Sequence, residues 1–325
     1  MQLDDRVVLL DKPPGLTSFA AVRTLRRLAR VDKAGHCGSL DPLATGLLIV
    51  CTGVATRVAS LFVELPKEYH ARVRLGRATD SYDADGATTA LAPVPALDPE
   101  HVRAALQGFE GEIEQRPPMV SAVKVQGRRL YELARRGEEI ERVARKVMVH
   151  EITLVDLGSD HLDLRVRSGR GCYVRSIAHE LGERLGVPAH LESLRRAAVG
   201  SFRVENAVTI DGLRAALGDA EHPATGQAAG AIAAAVLPLG AALAHLPALH
   251  VRRSYEPALR NGVQPGPQAL CAMPRGPGKH RLLSDDGSRL LGLAEVEGVD
   301  RVAGLRLWIV FQSPLAVGPD ETDAA

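Results

Sequence analysis

Apolar and polar residues alternate along this chain with two different periods. Val7 to Leu10 form a short apolar run that predicts a buried strand. From Ser18, taken as a helix cap, Phe19, Val22, Leu25 and Leu28 recur at helical spacing, with Arg23, Arg26, Arg27 and Arg30 on the opposite face. The run LLIVCTG at 47–53 reads as a strand leaving a turn, and Tyr69, Ala71, Val73 and Leu75 keep the two-residue period of a half-buried strand. A further strand, Leu162, Leu164 and Val166, runs into SGRG and a helix from about Tyr173 to Leu185. Strands and helices mix without strict alternation, which predicts an α+β fold: a mixed, mainly antiparallel sheet flanked by helices.

The pattern changes at Gly218. Residues 218–247 shift to Ala, Gly and Pro and read mainly as a connecting segment with room for one short helix. Strand candidates near 249–253, 281–284, 290–297 and 304–310 then follow, separated by Gly and Pro, as in a small β domain. The final residues, LAVGPDETDAA, hold three acids and no base and predict a disordered tail. The expected organisation is a first domain over 1–247, a small β domain over 248–313 and an acidic tail over 314–325.

Composition narrows the functional classes. At 325 residues and 34.7 kDa, 46% hydrophobic and 24% charged, the chain has the make-up of a globular protein of two domains. No stretch approaches the ~18 to 20 consecutive apolar residues of a membrane span. The start, MQLDDRVVLL, is acidic where a secretory signal is basic, so a cytoplasmic location is expected. Cys37, Cys51, Cys172 and Cys271 form no CxxC pair, which argues for reduced thiols rather than a zinc site or a disulfide scaffold. The net charge of +1 gives no argument for nucleic acid by itself. Its distribution does: residues 116–150 hold nine Lys and Arg against four Glu, a basic excursion suited either to phosphates or to a solvated helix face.

Phosphate-binding GxxxxGK[ST], GxSxG, HExxH and GxGxxG signatures are absent, which favours a reaction without metal or cofactor. The densest cluster is KAGHCGSLDPLATGLLIV at 33–50, where three glycines bracket His36, Asp41 and Pro42 and let the backbone turn sharply beside a ligand. Asp41 before a proline also suits an Asx turn or cap, and His36 a loop histidine. In SGRGCYVRS at 168–176, Tyr173 and Arg175 stand where a strand meets a helix, and Arg175 has the fork to hold a carboxylate or simply to face solvent. In KEYHARVRLGRATDSYDADG at 67–86, Tyr69 offers either a ring face for a base or a core side chain.

These blocks, together with LLDKPPGLTS at 9–18, RPPMVSAVKVQGRRLYELAR at 116–135 and LRRAAVGSF at 194–202, resemble in sequence and order the TruB family, the bacterial tRNA pseudouridine-55 synthases. The motifs span about 6–215, and the layout continues to about 313. The resemblance implies an isomerase, acting without metal or cofactor, that converts uridine 55 in the tRNA T loop to pseudouridine. It implies Asp41 as nucleophile, Arg175 as its ion-pair partner, and Tyr69 as the residue that stacks on the target base and is placed as a general base. His36 then fills the gap left by the flipped base. Lys12, Tyr173 and Leu194 fall at further pocket positions. Residues 116–150, with Lys124, Arg128 and Arg129, resemble a thumb-like insertion packed on the T arm, and the carboxy-terminal strands resemble an RNA-binding PUA domain, best at LRNGVQPG, 259–266. tRNA is the implied partner, and a monomer without membrane, guide RNA or obligate protein partner is expected. A guide-RNA-type pseudouridine synthase is the alternative enzyme class, and an RNA folding helper the alternative outside enzymes.

Overall fold

A computed structural model describes residues 3–118, 143–218, 232–274, 276–297 and 305–318, with the backbone alone at 124–125 and 128–129, and residue 230. Among these, strands β1 (Arg6–Lys12), β2 (Ala34–His36), β3 (Thr45–Thr52), β4 (Lys67–Leu75), β5 (Gly111–Gln115), β6 (Arg145–Leu157), β7 (His161–Ser168), β8 (Ala189–Val199), β9 (Val208–Thr209) and β10 (Val236–Pro238) build one mixed sheet. Its central order is β9-β1-β3-β8-β4-β7-β6-β5; β2 pairs with β3 and β10 with β1. Only the β1–β9 and β3–β8 neighbours run parallel, so the expected mainly antiparallel α+β architecture is what forms.

Helix α1 (Ser18–Ala29) shows what the periodicity captured and what it missed. Ala21, Val22, Leu25 and Leu28 are buried as the helical period requires. Phe19, expected in that stripe, is 72% exposed, because it sits about 100° round the helix from Ser18, which takes the inward position. The cap is Thr17, whose hydroxyl accepts from Ala20 N at 3.1 Å. Ser18 instead donates to Leu40 O at 3.0 Å and accepts from Leu40 N at 2.8 Å, tying the helix start to the loop that carries Asp41.

Helices α2 (Pro99–Gln107), α3 (Val174–Leu185) and α4 (Ile210–Leu217) pack their apolar stripes on the sheet and on each other. The Ala-rich segment departs from the connector expected of it. Residues 219–229 and 231 lie outside the described residues, but β10 adds to the sheet edge, and Ile232, Ala235, Leu239, Ala242 and Leu243 are buried in the main core. The few large aliphatic residues scattered among the alanines supply that face.

Strands β11 (Ala248–His250), β12 (Gly278–Leu283), β13 (Arg289–Val296) and β14 (Leu305–Ala316) form a second sheet close to the expected positions. Leu249, Val251, Leu259, Leu270, Leu282, Leu291 and Ala294 make a small core of its own. Leu283, Leu290, Leu293, Ile309 and Phe311 join the main core instead. Arg281 reinforces the junction, donating to Leu246 O at 3.0 Å and Gly240 O at 3.2 Å. In the basic segment, strands Lys124–Val125 and Arg128–Arg129 pair antiparallel; the rest of 119–142, the side chains of Lys124, Arg128 and Arg129, and the tail from 319 lie outside the described residues.

One glycine is structurally obligatory. Gly46 has φ +100°, and a Cβ there would stand 2.4 Å from Arg196 O, across the parallel β3–β8 contact. Gly46→Ala is therefore expected to destabilise the fold by about 3 kcal/mol or more, combining overpacking with left-handed strain. A denaturant midpoint within error of the parent protein would contradict this.

Candidate functional site

Three elements meet at the carboxy-terminal side of β2 and the start of α3. The Asp41 loop is fastened from several directions. Gly15 N donates to Pro42 O at 2.8 Å, Ala44 N to Asp41 O at 3.1 Å, and Ser18 grips Leu40. From below, the Lys12 ammonium donates to Pro13 O at 2.9 Å, Leu16 O at 2.8 Å and Pro42 O at 3.2 Å. Lys12 is wholly buried, and desolvation, opposed by Asp41 and helped by Arg196, brings its pKa down to about 8. It was expected among the RNA-contacting positions; the structure turns its ammonium onto the backbone of two loops, so it acts through the loop that it shapes.

Arg196 holds the other side. Strand alternation turns one of the paired Arg195 and Arg196 outward, where Arg195 meets Asp11 at 2.8 Å, and the other inward. Arg196 is 1% exposed and donates to Leu47 O at 2.7 Å, Ser39 O at 3.3 Å and Gly38 O at 3.2 Å. Its positive charge also acts on Tyr69. Burial pushes the Tyr69 phenol up, against the pull of Arg196, so at neutral pH the ring carries its proton. His36, on β2, is half-buried, and burial together with Arg196 lowers its pKa, so it is a neutral ring.

Arg175, in the first turn of α3 and 2% exposed, is the centre of charge. Its Nη2 donates to Asp41 Oδ1 at 3.0 Å while Nε lies 2.9 Å from Oδ2, so one edge of the guanidinium faces the carboxylate with a hydrogen bond and a second close ion-pair contact. Its Nη1 donates to Asp83 Oδ2 at 3.1 Å and to Ser81 O at 3.2 Å. One guanidinium thus serves two carboxylates. Burial is the largest influence on Asp41 and raises its pKa; Arg175 and Lys12 oppose this, and Asp83 adds to it. Tyr173, just before α3, is clamped by the buried Gln115, which donates to Tyr173 O at 3.0 Å and accepts from Tyr173 N at 2.7 Å.

Asp41, Tyr69, Tyr173, Arg175, Leu194 and Arg196 line a cavity of ≈ 210 Å³. Asp41 is the acid left partly open to it, its side chain 34% exposed against 6% for Asp83. His36 is not among the residues lining the cavity. A larger hollow of ≈ 390 Å³ shares Lys67 with this one but is bordered by Arg165, Arg167, Arg203, Glu68 and Glu151, and its Glu151–Arg165 pair, 2.9 Å apart, is exposed rather than set on a buried guanidinium. Asp156, His161 and Asp163 place ligand atoms within 4.8 Å of one another on the β6–β7 hairpin, but Asp163 is held by Arg72 at 2.7 Å through both oxygens.

Sequence reasoning gave no role to Asp83, Ser81, Gln115 or Arg196. Asp83 sat in plain view within DSYDADG, and its signal was an acid between turn formers; nothing local pairs it with an arginine 92 positions away.

The fold is shared with solved Cbf5 complexes. A Cbf5-Nop10-Gar1 complex matches 97% of this chain and 86% of its own at 25% identity and TM-score 0.69. The archaeal box H/ACA sRNP Nop10-Cbf5 complex matches 99% and 89% at 24% identity and TM-score 0.70. The architecture is that of a pseudouridine synthase. Sequence sharpens this: residues 26–174 match the TruB family pseudouridylate synthase N-terminal domain, and 175–244 the tRNA pseudouridylate synthase B C-terminal domain. Proteins named tRNA pseudouridine synthase B from Chromohalobacter salexigens and Aromatoleum aromaticum are 42% identical over 93% of this chain and 94% of theirs, and 43% identical over 93% and 92%. The chain belongs to the TruB family of pseudouridylate synthases.

Proposed function

We propose that this protein isomerises the uridine at position 55 of the tRNA T loop to pseudouridine, with Asp41 as nucleophile. The observation that carries the reading is the partly open Asp41 carboxylate held by the buried Arg175 fork at the wall of a cavity faced by Tyr69. The reaction breaks N1–C1′, turns the uracil and joins C5 to C1′, and a carboxylate can divide it into two easier steps. The isomerisation is redox-neutral, so the chemistry needs no oxidant or reductant, and the Asp41 carboxylate serves as the covalent catalyst.

The target nucleotide must leave its stack to reach Asp41, at a cost of a few kcal/mol. Tyr69 offers its face to the incoming uracil and, through its hydroxyl, a proton-exchanging group beside the base. Tyr173 and Leu194 complete the apolar walls. His36, a neutral ring, fills the vacated stack. Lys124, Arg128 and Arg129 grip phosphates of the T arm, and the carboxy-terminal sheet, read as PUA-like, adds further RNA contacts. The identity of the named relatives, 42% to 43%, supports free tRNA as substrate over an RNA presented within an H/ACA particle.

The test is to incubate purified protein with unmodified tRNA transcript and chelator, without guide RNA, and to map pseudouridine by carbodiimide-based primer extension. One stop reporting position 55 is expected. Tight tRNA binding with no stop would instead favour an RNA folding helper.

The pH dependence has a definite sign. Asp41 must be ionised to attack, and burial holds its proton to higher pH than a free aspartate with its pKa of 3.8. The single-turnover rate should therefore fall with acid along a limb centred above that value. A limb at or below about 4 would show an unperturbed carboxylate and contradict the geometry.

A further inference from the structure

Asp83 reaches Arg175 from the segment between Thr79 and Gly86, which folds back sharply on itself. Ser81 Oγ donates to Asp83 Oδ1 at 2.5 Å, Thr79 Oγ1 donates to Asp83 O at 2.7 Å, and Ala87 N donates to Asp80 Oδ1 at 2.9 Å. Between the two groups that hold Arg175, the Ser81 carbonyl and the Asp83 carboxylate, stands Tyr82 with φ +64°. Left-handed backbone is disfavoured for a bulky aromatic residue, so its surroundings must enforce it. It is this turn of the chain that lets neighbours on both sides of Tyr82 face one guanidinium.

The enforcing contact is visible. The Tyr82 ring lies on the His179 imidazole, with centroids 3.9 Å apart and planes 10° from parallel. His179 is four residues after Arg175 on α3, hence on the same face one turn further on. The helix thus presents two handles to one loop: Arg175 takes Ser81 O and Asp83, and His179 takes the ring between them. On the remaining sides, Tyr82 O accepts from Leu191 N at 2.9 Å, and Glu183 lies 3.7 Å from His179 Nε2.

We infer that Tyr82 and His179 are positioning residues for the isomerisation, a stacked latch that sets the Asp83 loop so that Asp83 aims Arg175, and Arg175 aims Asp41. Neither residue is among those lining the cavity. Their effect therefore passes through Asp83 and falls on the chemical step rather than on tRNA affinity. The inference rests on the assignment of Asp41 as nucleophile.

The test compares His179→Ala, His179→Phe, Tyr82→Asn, Asp83→Asn and the His179→Ala/Asp83→Asn double variant by single-turnover pseudouridine formation at saturating enzyme, with tRNA Kd measured in parallel. Asn tolerates left-handed backbone, so Tyr82→Asn removes the stack and keeps the turn. His179→Ala and Tyr82→Asn should each slow the reaction about 5- to 10-fold, the scale of one aromatic pair, with Kd unchanged. His179→Phe should restore the rate, and His179→Ala should cost nothing further once Asp83 is Asn. An unchanged rate in His179→Ala, a loss that multiplies fully with that of Asp83→Asn, or a His179→Phe protein as slow as His179→Ala would each overturn the latch. Should the latch variants run at the parent rate while Asp41→Asn is inactive, the latch fails and the nucleophile stands; turnover by Asp41→Asn would remove the basis of both.

Discussion

Arg175→Met should slow single-turnover pseudouridine formation by about 100-fold or more and cost the fold about 3 to 5 kcal/mol. The reason is the number of groups that depend on one cation. Asp41 receives two of its nitrogens, Asp83 and Ser81 O share the third, and the side chain is 2% exposed. Without it, two acids sit in a sparsely solvated site with only Lys12 nearby as a countercharge to Asp41, and the pair takes up a proton. Protonated Asp41 is no nucleophile, and the unpaired carboxylates oppose folding. Arg175→Lys should recover only part of either loss, because a point ammonium cannot reproduce a planar fork and reach Asp83 at the same time. Single-turnover rates and thermal midpoints for the three proteins check this. An Arg175→Met protein within a few-fold of the parent rate would show that Asp41 is held and kept ionised by something else.

The sheet was legible where its strands are buried on one face, because period-two alternation at Tyr69, Ala71, Val73 and Leu75 and at Leu162, Leu164 and Val166 leaves no competing reading. Pairing order was not, since β3 meets β8 in parallel through residues 45 and 195, contacts that no local pattern encodes. In α1 the period was right, but the phase slipped by one residue at its start: Phe19 has the hydrophobicity of a core residue, and Ser18 has the chemistry of a cap. Ser18 went inward because two hydrogen bonds to Leu40 satisfy its hydroxyl, and Thr17 capped instead. The Ala-rich stretch hid β10 for a related reason. Its composition resembles a linker, while three residues, Val236 to Pro238, suffice to extend an existing sheet edge.

The site divides in the same way. Asp41 stood out in a glycine-rich turn, Arg175 at a strand–helix junction and Tyr69 as an aromatic on an alternating strand, the resemblance gave them roles, and the structure brings all three around one cavity. Residues that act by holding others carried no such mark. Lys12, a pocket position implied by the resemblance, is a buried clamp on Pro42; Arg196, given no role from sequence, is the bracket behind Gly38 and Ser39. Asp83 is legible only once Arg175 is seen between the two carboxylates.

Asp41→Asn is expected to have the largest effect of any single substitution on turnover, a loss of at least ~10⁴-fold, because it removes the nucleophile and leaves the rest of the pocket in place. Stability should hardly move. Burial raises the Asp41 pKa, which means that the fold disfavours its ionised form, and a neutral amide escapes that cost while Asp83 still balances Arg175. Affinity for tRNA should also persist, since the substitution keeps the size of the side chain and removes one negative charge that would face the RNA. The decisive measurement sets the parent protein and Asp41→Asn side by side, with pseudouridine at position 55 quantified over a single turnover and tRNA Kd determined for each. A parent that converts naked tRNA, beside an Asp41→Asn protein that binds it within about twofold of the parent and converts none, is the predicted result. Conversion at position 55 by Asp41→Asn at a rate near that of the parent would contradict the account at its centre.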